Sequence, residues 1–424
     1  MHRRQFIFSG SAAAGATLFS ATACAAEVLR DVALLQPGAP LANGVRPFRI
    51  AVPRVWLVDL QQRLANTRWP DKETVNDTRQ GPPLADIRRL VERWQNGHDW
   101  RACEKLLNNL DQHVTQIDGI DIQFLHIRSK ECNALPLLLT HGWPGSVLEF
   151  RHVIGPLTDP VAHGGKASDA FDVIIPSLPG HGFSGKPVTT GWNNERIAKA
   201  WIVLIERLGY QRWAAQGGDR GAQITTRLGY MQPPGLIGIH LNLVDYTPGD
   251  TERANATPAE QKMLADMQDY LDNLSGYYAL QSKHPQSIAY SVADSPAGQA
   301  AWIYQMLQDV SDSGGHPERV FNLDDMIDNI MLYWLPNAGP SSARLYWETA
   351  QEKPRQVTIE EPMPVPAGIS IFPGEKARIS RRWAEARFNR LVHFNELAKG
   401  GHFAAWEQPA VFVEELRATF RRLR

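Results

Sequence analysis

The spacing of apolar positions changes twice along the 424 residues. Over 53–67, Leu57, Leu60 and Leu64 recur at steps of three and four residues, with Val55 near them and a proline at the start, which predicts an amphipathic helix. Helices are also predicted over 83–94 and from Asp99, a helix-capping residue, through Trp100, Leu106 and Leu107. These segments are too short to make a core alone and should pack on a larger body. From Val114 the period falls to two. Runs at 114–117 and 120–127 flank Asp118-Gly119, a pair suited to the positive φ angles of a tight hairpin. Short apolar runs at 135–140, 171–175, 212–216 and 236–243 then alternate with helical stretches at 147–157, 196–208 and 222–231. Alternation of this kind predicts an α/β fold, a mostly parallel sheet with helices on both faces. Between 246 and 362 the sequence turns helical and aromatic-rich. Strand signals return at 369–372 and 391–396, and a last helix is expected over 409–423. A helical insertion near the end of a sheet predicts a cap.

These signals divide the chain into 1–26, a targeting segment; 27–47, a linker or arm; 48–111, a helical N-terminal region; 112–246, the first part of the core; 247–361, the cap; and 362–424, the second part of the core. In the first segment Arg3-Arg4, followed by Phe6 and Ile7, opens a mildly apolar run rich in Ala, Gly and Ser. This is the twin-arginine pattern read by a bacterial export receptor, with small residues for cleavage at Ala21-Thr22-Ala23 or Ala23-Cys24-Ala25. A retained anchor and lipidation at Cys24 are the competing readings. Export to the periplasm or beyond is expected, without a membrane span in the mature chain.

Composition narrows the class further. The formal net charge is −1, and removing 1–26 takes away two arginines, leaving −3. Neither a nucleic-acid-binding polycation nor a disordered chain fits. Three cysteines supply neither a disulfide framework nor a zinc pattern. In an oxidising compartment Cys103 and Cys132 form either a disulfide or two buried thiols. Oligomeric state is open, a homo-oligomer included.

The chemistry is concentrated in Gly217-Gly218-Asp219-Arg220-Gly221, between a strand and a helix. A nucleophile on a strained strand-to-helix turn needs small neighbours. Serine is the usual occupant; here it is Asp219. A carboxylate is anionic at neutral pH without a base, its ordinary pKa being about 3.9. Attack on a carbonyl would give a reactive anhydride, whereas attack on a saturated carbon gives an ordinary ester. Cleaving that ester requires a histidine with an orienting acid, following the nucleophile in the order acid, then histidine. His402 lies in a glycine-preceded loop before the last helix, and Glu375 follows the strand at 369–372 through Pro373-Gly374. Glu360, Glu361 and Glu385 compete from less favourable places. Backbone N–H groups of Arg220 and Trp143 are the expected oxyanion donors. His141 reads as a structural loop residue.

Together Thr140-His141-Gly142-Trp143-Pro144-Gly145-Ser146, the Asp219 turn and Gly400-Gly401-His402-Phe403-Ala404-Ala405 resemble the α/β-hydrolase family, specifically microsomal-type epoxide hydrolases with their N-terminal region. The resemblance runs from about residue 47 to the end. It implies Asp219, Glu375 and His402 as catalytic residues, with no metal or organic cofactor. It also implies two cap tyrosines that donate to the epoxide oxygen, Tyr277 in Gly276-Tyr277-Tyr278 and Tyr346 in Arg344-Leu345-Tyr346. The expected partner is a small, apolar epoxide, opened to a vicinal diol. Trp302 and Trp334 add to that apolar character, although packing explains both. One departure stands out: Arg220 replaces the Trp usual after the nucleophile. Asp-Arg-Gly is also how fluoroacetate-type dehalogenases read here, but those carry a second Arg four residues after the Asp, where this chain has Gln223. A haloacid or haloalkane dehalogenase is thus the rival enzyme, and a non-catalytic binder of apolar ligands the rival of another class.

Overall fold

In the computed structural model, residues 44–352 and 355–424 are described. The targeting segment at 1–26, Cys24 and most of the expected linker lie outside them. Among the described residues one sheet has nine strands: β1 (Val45–Pro47), β2 (Gln112–Ile117), β3 (Ile120–Ile127), β4 (Leu135–Thr140), β5 (Phe171–Pro176), β6 (Trp213–Gly217), β7 (Leu236–Leu241), β8 (Ala367–Ile371) and β9 (Leu391–Glu396). Their order is β1-β2-β3-β5-β4-β6-β7-β8-β9. The first three join the sheet antiparallel, and β4 through β9 are parallel to one another. Asp118 and Gly119 take φ of 49° and 81° at the β2–β3 turn, as the hairpin requires.

The longer helices are α1 (Arg54–Ala65), α2 (Leu84–Asn96), α3 (Trp100–Asn108), α4 (Asn194–Arg207), α5 (Asp219–Met231), α6 (Pro258–Asp269), α7 (Gly276–Lys283), α8 (Pro285–Asp294), α9 (Pro296–Val310), α10 (Leu323–Trp334), α11 (Ala338–Ala350) and α12 (Pro409–Phe420). Side chains alternate across the pleat. Leu138 and Ile174 point to a core shared with Trp201 and Leu204 of α4 and Ile224 and Leu228 of α5. Leu137, Leu139, Val173 and Ile175 point the other way, to Phe412 and Leu416 of α12. Each such side chain, fully buried, contributes about 1.5–3 kcal/mol. Among the described residues no helix is long and apolar enough to cross a membrane.

Helices α1–α3 bury Leu60, Leu64, Leu90, Val91, Trp94 and Leu107 in one cluster with Ile303, Leu307, Ile327 and Ile330 of the cap. Asp99 caps α3 by accepting from Arg101 N–H. Cap helices α6–α11 fall inside the expected insertion.

Three expectations need correction. Val45–Pro47, assigned to the linker, forms an edge strand paired with β2; a three-residue strand holding Pro47 carries too little alternation to be read. The single helix expected over 147–157 is a 3-10 turn at Val147–Phe150 and a short helix at Ile154–Thr158, interrupted ahead of Gly155-Pro156. Among the described residues Cys103 and Cys132 are unbridged, and Cys132 is exposed rather than buried.

Candidate active site

Strand β6 ends at Gly217, Gly218 stays extended, and Asp219 turns to φ 46° as the first residue of α5. A non-glycine residue in the left-handed region costs energy and persists where the surroundings enforce it. The surroundings here are close. A Cβ on Gly217 would lie 2.1 Å from the Gly221 carbonyl oxygen, and one on Gly221 would lie 1.9 Å from that of Thr140. The two glycines let β4, β6 and α5 converge, which pushes the Asp219 side chain out above the C-terminal ends of the strands.

Three loops at the same edge meet it. After β4, Trp143 N–H donates to Asp219 Oδ1 at 2.8 Å. After β9, His402 Nε2 stands 3.5 Å from Asp219 Oδ2. After β8, Glu375 Oε2 lies 2.7 Å from His402 Nδ1. The other Glu375 oxygen accepts from Lys376 N–H at 2.6 Å and Ala377 N–H at 3.1 Å, which fixes the carboxylate. The competing acids are elsewhere: Glu361 pairs with Arg355, Glu385 with Arg381, and Glu360 is exposed. The cap holds the loops from above. His402 N–H donates to Val310 C=O, Asn329 Nδ2 to Pro144 C=O and Tyr333 O–H to Gly145 C=O.

Burial works against charge on Asp219, yet hydrogen bonding and attraction from His402, the Arg220 charge and the Trp143 amide outweigh it, leaving the carboxyl at about 2. Burial likewise opposes a proton on His402, but Glu375 and Asp219 together hold the imidazolium well above the ordinary range. His141 is different. Buried, it falls to about 4; Nδ1 lies 2.9 Å from Gly142 C=O and Nε2 accepts from Leu178 N–H, so it is a neutral loop brace.

Above the carboxylate lies an aromatic group. The Tyr277 ring stacks on Trp143 at 5.2 Å, and Tyr346 meets Trp143 edge-on at 5.7 Å and Tyr277 at 5.9 Å. Trp302 joins edge-on at 6.4 Å from Trp143, whereas Trp334 lies under Arg63 of α1. Burial raises both phenols well above their usual value, and the Asp219 charge adds to the rise. They therefore remain protonated donors. Tyr277 O–H lies 2.8 Å from Tyr270 O–H, at the start of a π-helical turn. Among the described residues the buried Tyr346 hydroxyl meets no partner in hydrogen-bonding geometry.

A family signature described as epoxide hydrolase N terminus matches residues 45–150, and one described as alpha/beta hydrolase fold matches 136–291. A Stigmatella aurantiaca relative whose name places it among the epoxide hydrolases is 53% identical over 381 residues, covering 90% of this chain and 86% of its own. Epoxide hydrolase 1 of Sus scrofa is 31% identical, covering 90% of each. The chain belongs to the epoxide hydrolase family. The solved structure of Aspergillus niger epoxide hydrolase superposes with a TM-score of 0.81 at 26% identity, covering 92% of this chain and 99% of that one.

In this epoxide hydrolase the unusual Arg220 turns its side chain towards the cap tyrosines. Its guanidinium lies 3.8 Å over the Tyr346 ring and 5.6 Å over that of Tyr278, and it donates to Gln223 Oε1 at 2.9 Å. Gln223 is further occupied by Asn194 and Asp245, so the position that grips a carboxylate in the dehalogenases is tied into a network. Tyr270 and Glu149 are additions from the structure. No motif marks Tyr270, and Glu149 reads in sequence as one polar residue of a helical run.

Proposed function

We propose that this epoxide hydrolase opens its substrate in two covalent steps, with Asp219 as nucleophile and His402, oriented by Glu375, as base. The observation that carries the reading is the Asp219 carboxylate, anchored through Oδ1 by the Trp143 amide and facing His402 through Oδ2, below two protonated phenols. Asp219 attacks a saturated ring carbon, the C–O bond breaks, and the oxygen takes a proton from Tyr277 or Tyr346. The new ester is neutral. His402 thereby loses one of the two charges that hold its proton and releases it, replacing the one given up by the phenol. Neutral His402 then takes a proton from water, whose hydroxide adds to Asp219 Cγ. The oxyanion falls on the Trp143 N–H, with Arg220 N–H as second donor in the first turn of α5, where amides lack helical acceptors. Collapse expels the diol oxygen, which takes the carboxyl proton. The carboxylate and imidazolium are restored.

The aromatic surroundings of Trp143, Tyr277, Trp302 and Tyr346 favour an apolar epoxide. Export through the twin-arginine route belongs to the same proposal and rests on Arg3-Arg4 and the small-residue run after it; fractionation of expressing cells and the mass of the product test it. For the chemistry, a panel of aromatic and aliphatic epoxides should yield diols, and His402→Gln should trap an adduct on Asp219 heavier by the mass of the substrate. Absence of that adduct with an epoxide the wild type turns over defeats the mechanism. Halide release from haloacids without diol formation would select the dehalogenase.

A further inference from the structure

Behind the nucleophile, on the His402 side, is a cavity of about 20 Å³. That is room for one water molecule, which needs two to four polar partners to stay. Its polar lining is Asp219, His402, Glu149, Gln216 and Asn242; Phe150, Phe403 and Phe412 are among the apolar residues that close it. Gln216 donates to Asn242 Oδ1 at 2.8 Å, while its own Oε1 is buried without a protein partner. Glu149 is the unexplained member. No described residue hydrogen-bonds or ion-pairs with its carboxyl, although Glu149 is only partly exposed and lines this cavity.

The local sequence makes space for that carboxyl. A Cβ on Gly145 would lie 1.2 Å from Glu149 Oε1, so any other residue at 145 would evict it. Ser146 accepts from Leu148 N–H and starts the 3-10 turn that swings Glu149 inward. Burial raises the Glu149 carboxyl to about 8, with His402 opposing and Asp219 adding to the rise. At neutral pH it therefore carries its proton and offers a donor and an acceptor together.

We propose that Glu149 is a positioning residue for the hydrolytic water, holding it in this cavity between His402 Nε2 and Asp219 Cγ. The proposal rests on the two-step mechanism above and adds the origin of the second step's reactant. During that step Glu149 keeps its proton. His402 takes one proton from the water, the oxygen bonds to Cγ, and Glu149 only orients it. A water placed in advance spares the entropy of recruiting one at each turnover.

The test compares Glu149→Gln, which keeps a donor and an acceptor in the same shape, with Glu149→Ala, which keeps neither. Each full-length variant is mixed rapidly with styrene oxide, or another epoxide that the wild type hydrolyses, then quenched. Intact mass measures the Asp219 ester, and chromatography measures diol. Glu149→Ala should form the ester at the wild-type rate, accumulate it, and release diol about tenfold to a hundredfold more slowly. Glu149→Gln should retain diol release within about threefold of wild type, as expected if a neutral carboxyl is what works. Equal slowing of ester formation and hydrolysis in Glu149→Ala, or a Glu149→Gln variant as impaired as Glu149→Ala, would overturn the assignment. Glu149→Met fills the space without hydrogen bonds and takes the place of Glu149→Ala if that variant melts early. His402→Gln separates the two claims. If it traps no ester the mechanism itself fails; if it traps ester and Glu149→Ala does not accumulate it, only the role of Glu149 fails.

Discussion

Replacing Gly142 by alanine tests how tightly the nucleophile is fixed. A Cβ there would lie 2.2 Å from Asp219 Oδ1 and 2.3 Å from Asp219 Cβ. Ordinary contact begins more than an ångström further out, so the carboxylate or the loop must retreat by about 1 Å. The obstacle sits on the Trp143 N–H bond to Oδ1. A hydrogen bond to a charged group contributes about 1.5–3 kcal/mol, and every 1.4 kcal/mol is tenfold in rate. Misplacement of a reacting atom by 1 Å can add about a hundredfold. Gly142→Ala should therefore lower kcat/KM for diol formation by about 10²- to 10³-fold. Because the amide serves both attack and ester cleavage, rapid-quench mass measurements should show ester formation slowed as well as hydrolysis. Thermal melts must first show the variant folded. A folded Gly142→Ala enzyme within about threefold of wild type would refute the claim that this amide anchors Asp219.

The two phenols should separate on stability while agreeing on activity. Tyr277→Phe and Tyr346→Phe should each slow ester formation about ten- to a hundredfold, but Tyr346→Phe should hold or raise the melting temperature because its hydroxyl is buried unpaired, whereas Tyr277→Phe strips Tyr270 of its partner. On acidification, burial keeps His126 and His141 neutral down to about 4 and His181 and His240 to about 3. The unfolded chain takes up these four protons near pH 6.5, whereas Glu149 and Glu407, raised by burial to about 8 and about 7, hold two protons that the unfolded chain lacks above about pH 4.5; the histidines outnumber them, so stability, measured by urea melts, should show a net fall from pH 6.5 towards 4. A flat profile across that window would contradict the neutral assignments. Asp219, at about 2, adds its own loss only as pH drops from about 4 towards 2. With a maleimide probe, Cys132 should label in the folded protein and Cys103 only after denaturation, read by peptide mass.

The parts legible in the sequence are those that local chemistry dictates. Strand β9 follows its apolar run from Leu391 to Glu396, the Asp118-Gly119 hairpin follows its turn residues, and the elbow follows glycines that pack against backbone. Glu375 could be chosen over its competitors because strand ends in a parallel sheet share one edge. The tyrosines could not be found this way: Tyr277 and Tyr346 sit on separate helices, and nothing in their own segments distinguishes them from packing rings. Glu149 was hidden for another reason. Its meaning depends on the empty side of Gly145, a relation between two residues that no periodicity reports. Arg220 stood out only as a departure from the usual Trp, and its place over the Tyr346 ring depends on a side-chain path that the sequence does not report.

Helices α1–α3 hold the cap from outside the site. Arg63 reaches Asp294, Arg89 reaches Glu318 and Arg93 reaches Asp324, while His98 lies 2.7 Å from Asp328 beneath the surface. Exposed pairs of this kind are individually weak, but they frame an interface already filled by Trp94, Leu90 and Ile327. The N-terminal region is in effect a buttress. Its ion pairs to Asp294, Glu318 and Asp324 fall on the roof that carries both phenols and not on the turn that carries the nucleophile, so shortening the chain at this end should unsettle the acid half of the reaction before it touches the base.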